Sequence, residues 1–179
     1  EDYTPLPFYM RQSIEQAVLA YYQDKDIRQI DLALDEMENE YRLRKANELG
    51  NRFLIELVKM HIDLTNIKTM LRLRLTEPVG RDVFLEGGHV PVDKFKHTLD
   101  IGEEGIGPVF FATPYHEVVE RGVTYHQENK SFLKLEAACE YHMMEYMKVA
   151  SQTITAGPQP VIAYLLRKEN EIRKIRLIM

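Results

Sequence analysis

The sequence predicts a mainly α fold, and three observations carry the prediction. Apolar residues recur at three- and four-residue spacing through most of the 179 residues. No stretch alternates apolar and polar residues at period two, so no sheet is expected. Residues 53–76, FLIELVKMHIDLTNIKTMLRLRLT, contain neither Gly nor Pro and can run as one long helix. At 100° per residue its apolar side chains fall on two arcs. Leu57, Met60, Leu64, Ile67, Leu71 and Leu75 form one, and Leu54, Val58, Ile62 and Leu73 the other. Two polar ridges lie between them, Glu56, Lys59, Asp63, Asn66 and Arg74 on one side and His61, Thr65, Lys68 and Arg72 on the other. A surface helix needs one apolar stripe, so two stripes imply neighbours on both sides.

The other elements follow in order. Thr4-Pro5 is a helix-start signal ahead of Phe8, Ile14, Val18 and Tyr21. Asp24-Lys25-Asp26 punctuates, and Asp31 is a plausible cap for a second helix with Leu34, Met37 and Tyr41 on one side. Gly50-Asn51 marks a turn into the long helix. Residues 77–107 carry Pro78, Gly80, Gly87-Gly88, Pro91, Gly102, Gly105 and Gly107, which predict turns with a short helix at 92–99. Thr113-Pro114 opens a short helix through Val118-Val119, expected to stop at Gly122. Asn129 or Ser131 caps the next helix, with the stripe Phe132, Leu135, Cys139, Met143, Tyr146 and Ala150. Gly157-Pro158 starts the last one, with the stripe Val161, Tyr164, Leu165, Ile172, Ile175 and Met179.

Composition excludes several classes. The net charge is −5 and no Lys/Arg-rich run offers a phosphate footprint, which argues against nucleic acid and against attraction to anionic lipid. A lone cysteine, Cys139, forbids an internal disulfide and fits a reducing cytosol. The longest apolar runs fall far short of the roughly 20 residues a membrane span needs. The chain opens Glu1-Asp2 with no basic n-region, so no signal peptide is read. It closes inside an apolar helix at Leu177-Ile178-Met179, and both ends read as cuts in a longer protein.

An internal echo organises the chain. Leu57, Met60, Ile67 and Met70 return 105 residues later as Ile162, Leu165, Ile172 and Ile175; Lys68 returns as Arg173 and Leu73 as Ile178. The preceding helices echo as Leu34-Asp35 against Leu135-Glu136, while Leu64 against Glu169 is a mismatch. The reading is a helical unit used twice, over residues 1–88 and 89–179, the two sharing one core. Burying each Leu or Ile of such a stripe stabilises by about 1.5–3 kcal/mol, a strong driver for stacking copies. The alternative is the chance agreement of two amphipathic helices.

Catalytic chemistry is sparse. His116-Glu117-Val118-Val119-Glu120 resembles the start of a zinc-protease motif, but a Glu stands where the second His belongs, and a surface helix is the better reading. A metal-dependent helical hydrolase using His116, Glu117 and Glu120 is kept as the alternative function. Gly102-Glu103-Glu104-Gly105-Ile106-Gly107 lacks the Lys-Ser/Thr of a phosphate loop and reads as an acidic loop. His61 reads as a hydrogen-bonded or solvated residue and Cys139 as an inert core thiol. No catalytic residue, metal ligand or cofactor is assigned.

Two strings resemble a known family. The first is Ile62-Asp63-Leu64-Thr65-Asn66-Ile67-Lys68-Thr69-Met70-Leu71-Arg72, followed by Leu85-Glu86-Gly87-Gly88. The second runs from Gly157-Pro158-Gln159-Pro160-Val161-Ile162-Ala163-Tyr164 through Lys168-Glu169-Asn170-Glu171-Ile172-Arg173 to Arg176. Together they resemble the C subunit of the A-type and V-type rotary ATPases, known as the d subunit in eukaryotic vacuolar ATPases. The family pattern is a D-x-x-N-(I/L)-K helix before a Gly-Gly turn, closed by a G-P-x-P-(V/I)-x-A-Y helix. The match is weakest over 89–128, and the chain is shorter than the family protein, about two of its three units.

That resemblance implies a funnel of three similar helical units around a pseudo-threefold axis, peripheral to the membrane on the cytoplasmic side. It implies a non-catalytic part of the central stalk that couples the rotor shaft to the membrane proteolipid ring, with no nucleotide site and no small-molecule substrate. Polar helix edges would then face the central cavity. Asp63, Asn66 and Arg74 on one copy, and Glu169, Arg173 and Arg176 on the other, are the candidates for its wall. The alternative is that these charges form helix-to-helix salt links or a solvated outer face.

Overall fold

The computed structural model describes residues 6–73, 83–153 and 157–178, and among them forms eight α-helices and no strand. The mainly α expectation holds. The chain divides into two compact units, Glu1–Gly102 and Glu103–Met179.

In the first unit, α1 (Phe8–Asp24) and α2 (Arg28–Glu48) pack closely. Small side chains make the approach possible: Ser13 and Ala17 are buried on α1, Asn39 and Ala46 on α2. The Tyr9 and Tyr41 rings stack at 3.9 Å. The turn between the helices uses Lys25 in the left-handed region, φ 56°, with its N–H donating to the Tyr21 carbonyl. Thr4-Pro5 lies outside the described residues, and Pro7 precedes the first turn. Asp31 does not cap α2 but sits inside its first turn; Ile27 is at the cap position, and Asp26 Oδ1, one residue earlier, accepts from the Arg28 N–H at 3.0 Å. Gly50 adopts φ 59°, and Asn51 Oδ1 accepts from the Leu54 N–H at 3.3 Å to start the next helix.

That helix, α3 (Arg52–Leu73), is sunk on almost every side. Arg52 and Arg72 are its exposed residues; the rest are buried or half-buried. Met60, Ile62, Leu64, Ile67, Met70 and Leu71 belong to the core. Two stripes with two sets of neighbours are what the sequence implied. One neighbour is α2; the other is the segment 83–90 with the short helix α4 (Val92–Thr98), whose Phe95 is fully buried and stacks on Phe84. The unit boundary therefore follows α4 and does not fall at 88/89. Gly87-Gly88 is a turn folded back onto α3, not a linker.

In the second unit, α5 (Glu103–Phe110) corrects the acidic loop read at 102–107. Buried Ile106 and Phe110 hold a helix that two glycines alone would not, and Glu103 and Glu104 suit the positive end of its dipole. Helix α6 (His116–Asn129) runs through Gly122, where a stop was expected. The glycine is there for contact: a Cβ on it would lie 2.7 Å from Leu135 Cδ1 of α7 (Leu133–Thr153). Lys130, φ 51°, ends α6 in the left-handed region. Ser131 Oγ, not Asn129, accepts from the Leu133 N–H at 3.3 Å. Leu135, Cys139 and Met147 are the buried face of α7.

Helix α8 (Pro158–Ile178) packs on α7 through buried Gln159 and Ala163 and half-buried Ile162, Leu166 and Asn170. Its expected stripe faces the other way: Val161, Tyr164, Leu165, Ile172 and Ile175 are 50–60% exposed. Met179 lies outside the described residues.

Helix bounds repeat along the chain. Arg28 and Leu133 begin α2 and α7, and Glu48 and Thr153 end them, a shift of 105 at both ends. Helices α3 and α8 follow the same shift to within one residue, and so do the left-handed caps Lys25 and Lys130. These bounds pair Leu34-Asp35 with Cys139-Glu140, and not with Leu135-Glu136.

Candidate partner-binding surface

The six wall candidates fall into three groups. Asp63 and Asn66, one turn apart on α3, are 0% and 1% exposed. Asp63 Oδ2 accepts from the His89 N–H at 3.0 Å and its Oδ1 from the Val90 N–H at 3.1 Å. The Asn66 amide grips Leu85 from both sides: its Nδ2 donates to the Leu85 carbonyl and its Oδ1 accepts from the Leu85 N–H, both at 2.8 Å. The two side chains satisfy the backbone of an irregular, partly buried segment that has no ladder of its own. They act through the loop they hold and expose nothing for a partner to touch. Arg74 lies outside the described residues.

Residues beyond the wall candidates complete this clamp. A Cβ on Gly88 would lie 2.1 Å from Asp63 Oδ1, so the turn can close on the carboxylate because position 88 has no side chain. Gly87, φ 93°, is in the left-handed region, and its own Cβ would meet Leu43 at 2.6 Å. His89 Nε2 lies 3.2 Å from Glu56 Oε2, tying the loop to α3 two turns before Asp63. The signal was present in the sequence as an acid and an amide three apart on a helix, followed by Gly-Gly; what it lacked was direction.

Glu169, Arg173 and Arg176 are exposed on α8. Arg173 Nη1 pairs with Glu140 Oε1 of α7 at 2.8 Å, a link between helices in which the arginine side chain keeps 64% of its surface. Lys168 Nζ pairs with Glu171 Oε2 at 2.7 Å on the same helix. This ridge runs beside the exposed apolar stripe of α8, so charge and uncovered hydrocarbon share one surface.

The hydrolase alternative is not supported. His116 Nε2 faces Glu120 Oε2 at 3.6 Å, while Glu117 turns to Arg121 at 3.1 Å. Among the described residues no three His, Cys, Asp or Glu side chains converge on a point that could hold a metal. The open groove along α6 and α7, about 1070 Å³, has His116, Glu117, Glu120, Lys134 and His142 in its walls. Two histidines titrate unusually. Burial, with the Arg42 and Lys68 cations close by, lowers His61 below its ordinary value; burial lowers His142 likewise. Among the described residues no helix is long and apolar enough to cross a membrane.

Comparison with known proteins gives these features a context. The chain is 30% identical over 166 residues to the C subunit of the A-type ATP synthase of Pyrococcus abyssi, covering 85% of this chain and 43% of that protein. It is 28% identical over 163 residues to the C subunit of the V-type sodium ATPase of Enterococcus hirae, covering 89% and 49%. The C subunit of the A-type ATP synthase of Methanobrevibacter smithii is 24% identical over 173 residues, covering 92% and 45%. The chain thus spans less than half the length of these curated relatives. No solved structure gives a significant match. The family model of the ATP synthase (C/AC39) subunit matches residues 1–179, the full span that holds the Asp63–Asn66 clamp and the α8 ridge. An all-helical chain with that match from end to end belongs to the ATP synthase (C/AC39) subunit family of the rotary ATPases.

Proposed function

We propose that this chain is part of a non-catalytic central-stalk component of a rotary A-type or V-type ATPase. In this reading the component couples the rotor shaft to the membrane proteolipid ring, sits on the cytoplasmic side against the membrane, and makes and breaks no bond. The observation that carries the reading is the family match across the entire chain. The relatives' names place them in A-type ATP synthases and a V-type sodium ATPase.

The physical task of such a part is to grip on two sides and transmit torque without yielding. A helix sunk among neighbours, with its polar ridge spent on locking a loop, suits that task because close-packed interiors deform little. Among the described wall candidates the accessible ones are on the α8 ridge: Glu169, Arg173 and Arg176 are solvated and carry one negative and two positive charges along one helix. Asp63 and Asn66 keep the scaffold stiff.

The test is to ask whether the full-length protein co-purifies with a proteolipid ring and with the shaft proteins. Arg173→Ala and Arg176→Ala are expected to weaken shaft binding by about 1–2 kcal/mol each. Absence of both partners from the purified complex rejects the coupling role. Unchanged shaft affinity in folded variants rejects the ridge as the contact and leaves the family assignment standing.

A further inference from the structure

The groove along α6 and α7 has a shape and a charge that the chemistry considered above does not use. The two helices run antiparallel: Gly122 meets Leu135, and seven residues back Tyr115 meets His142, seven residues on, with ring centroids 5.3 Å apart. At 100° per residue Glu117, Arg121, Thr124 and Glu128 share one face of α6. Lys134, Ala138, Tyr141 and Glu145 share one face of α7, and all eight residues line the groove. The long charged side chains stand toward the two ends, and Thr124, Ala137 and Ala138 leave the middle low. Small residues at a helix surface let another axis come as near as about 8–10 Å.

We propose that this groove seats a basic amphipathic helix of a partner protein, about four turns long, with small and apolar residues inward and Lys or Arg along its edges. Length follows from α6, whose 14 residues extend about 21 Å. The sign of the partner follows from the walls. Glu117, Glu120, Glu128 and Glu145 stand against Arg121 and Lys134, a net charge of −2 with the histidines neutral. Both cations are spoken for: Arg121 pairs with Glu117 at 3.1 Å, and Lys134 Nζ lies over the Tyr125 ring, 6.0 Å from its centroid. Glu120 keeps 62% of its side-chain surface and Glu128 is exposed, so the acids have capacity left for incoming cations. Polyanions such as nucleic acid are repelled, and a second copy of this chain brings a net charge of −5. The wall composition separates the groove from a permanently covered face. Where the chain covers α3 it buries Met60, Ile67 and Met70, whereas here a charged rim surrounds tyrosines, Tyr141 being 64% exposed. A polar rim about an aromatic centre belongs to contacts between separable proteins. The inference is independent of the rotor-coupling reading, whose proposed contact lies on α8.

Peptide titration of the full-length protein tests it, read by fluorescence anisotropy. Three labelled 14-residue peptides serve as probes: a Lys/Leu/Ala helix with one apolar face, the same composition scrambled so that no face is apolar, and the first with Glu in place of Lys. The first peptide is expected to bind at least about tenfold more tightly than either of the others. Glu120→Lys combined with Glu128→Lys should weaken it at least about tenfold, and so should Ala137→Arg, which raises the floor from an exposed position. The helical circular dichroism of each variant is required to match that of its parent. Equal binding of the scrambled peptide overturns the proposal, because charge alone then accounts for the attraction. Binding unmoved by Ala137→Arg overturns it as well, because the peptide then sits elsewhere. Absence of binding also overturns it, and maleimide labelling of Ala137→Cys then identifies the occupant. Protection at every protein concentration means that the remainder of the polypeptide fills the groove, and protection that grows with concentration means that a second copy does.

Discussion

Gly88→Ala tests the α3 clamp at its tightest point. The added Cβ would sit 2.1 Å from Asp63 Oδ1 and 2.9 Å from its Cγ, distances no real contact shows. Asp63 is fully buried and has Ile62 beside it, whose Cγ2 would lie 3.3 Å from the same Cβ, so the carboxylate must swing away from the turn. Swinging breaks the two bonds from His89 and Val90. Hydrogen bonds to a charged group contribute about 1.5–3 kcal/mol each, and partial re-formation gives an expected loss of about 2–4 kcal/mol. The same event is seen locally, as faster exchange of the Leu85, His89 and Val90 amide protons, and globally, as a lower urea midpoint. A double-mutant cycle isolates the cause. In an Asp63→Ala background the clash is gone, so Gly88→Ala should cost less than about 1 kcal/mol there, a coupling of at least about 1 kcal/mol. Additive effects of the two substitutions, or unchanged exchange at His89 and Val90 in Gly88→Ala, would refute the clamp.

Other outcomes follow from the same coordinates. Asn66→Ala removes both bonds to the Leu85 backbone and leaves its N–H and carbonyl buried, with an expected loss of about 2–4 kcal/mol in urea unfolding. Gly122→Ala drives a methyl to 2.7 Å from Leu135 Cδ1; overpacking of about 1–3 kcal/mol outweighs the helix-propensity gain of about 1 kcal/mol, so the thermal midpoint falls, and a rise would contradict the contact. His61 titrates below 6.5 when folded and near 6.5 when unfolded, so at pH values just under 6.5 the unfolded chain binds more protons. Its contribution is complete above pH 6.5 and is lost as pH falls; His61→Gln should flatten the decline in unfolding free energy between pH 7 and pH 5, and an identical slope would exclude it. The Arg173–Glu140 pair is largely solvated, so Arg173→Ala should cost less than about 1 kcal/mol in stability, which leaves it usable as a binding probe.

Periodicity alone located most of the helices and the double-sided character of the long one. It did so because a 3.6-residue repeat converts sequence spacing directly into direction around an axis. Cys139 and the Gly50-Asn51 turn were legible for the same local reason. Glycines were harder to read. Gly105, Gly107 and Gly122 look like breakers in one dimension, yet all three lie in helices, and at Gly122 the missing side chain is what lets Leu135 approach. Propensity is a weak local term that burial of Ile106, Phe110 and Leu135 overrides.

The sequence by itself determined the helical class, the family and the 105-residue echo, all of which depend on residue order and on local geometry. Only the tertiary structure decided which way each polar ridge faces. Asp63 and Asn66 have the composition of a wet surface, but Leu85, His89 and Val90 come from 19 to 27 residues away to consume their hydrogen bonds. The α8 stripe has the composition of a core and stands in solvent. Burial belongs to pairs of segments, and a single segment's pattern states that it wants a neighbour without stating which one arrives.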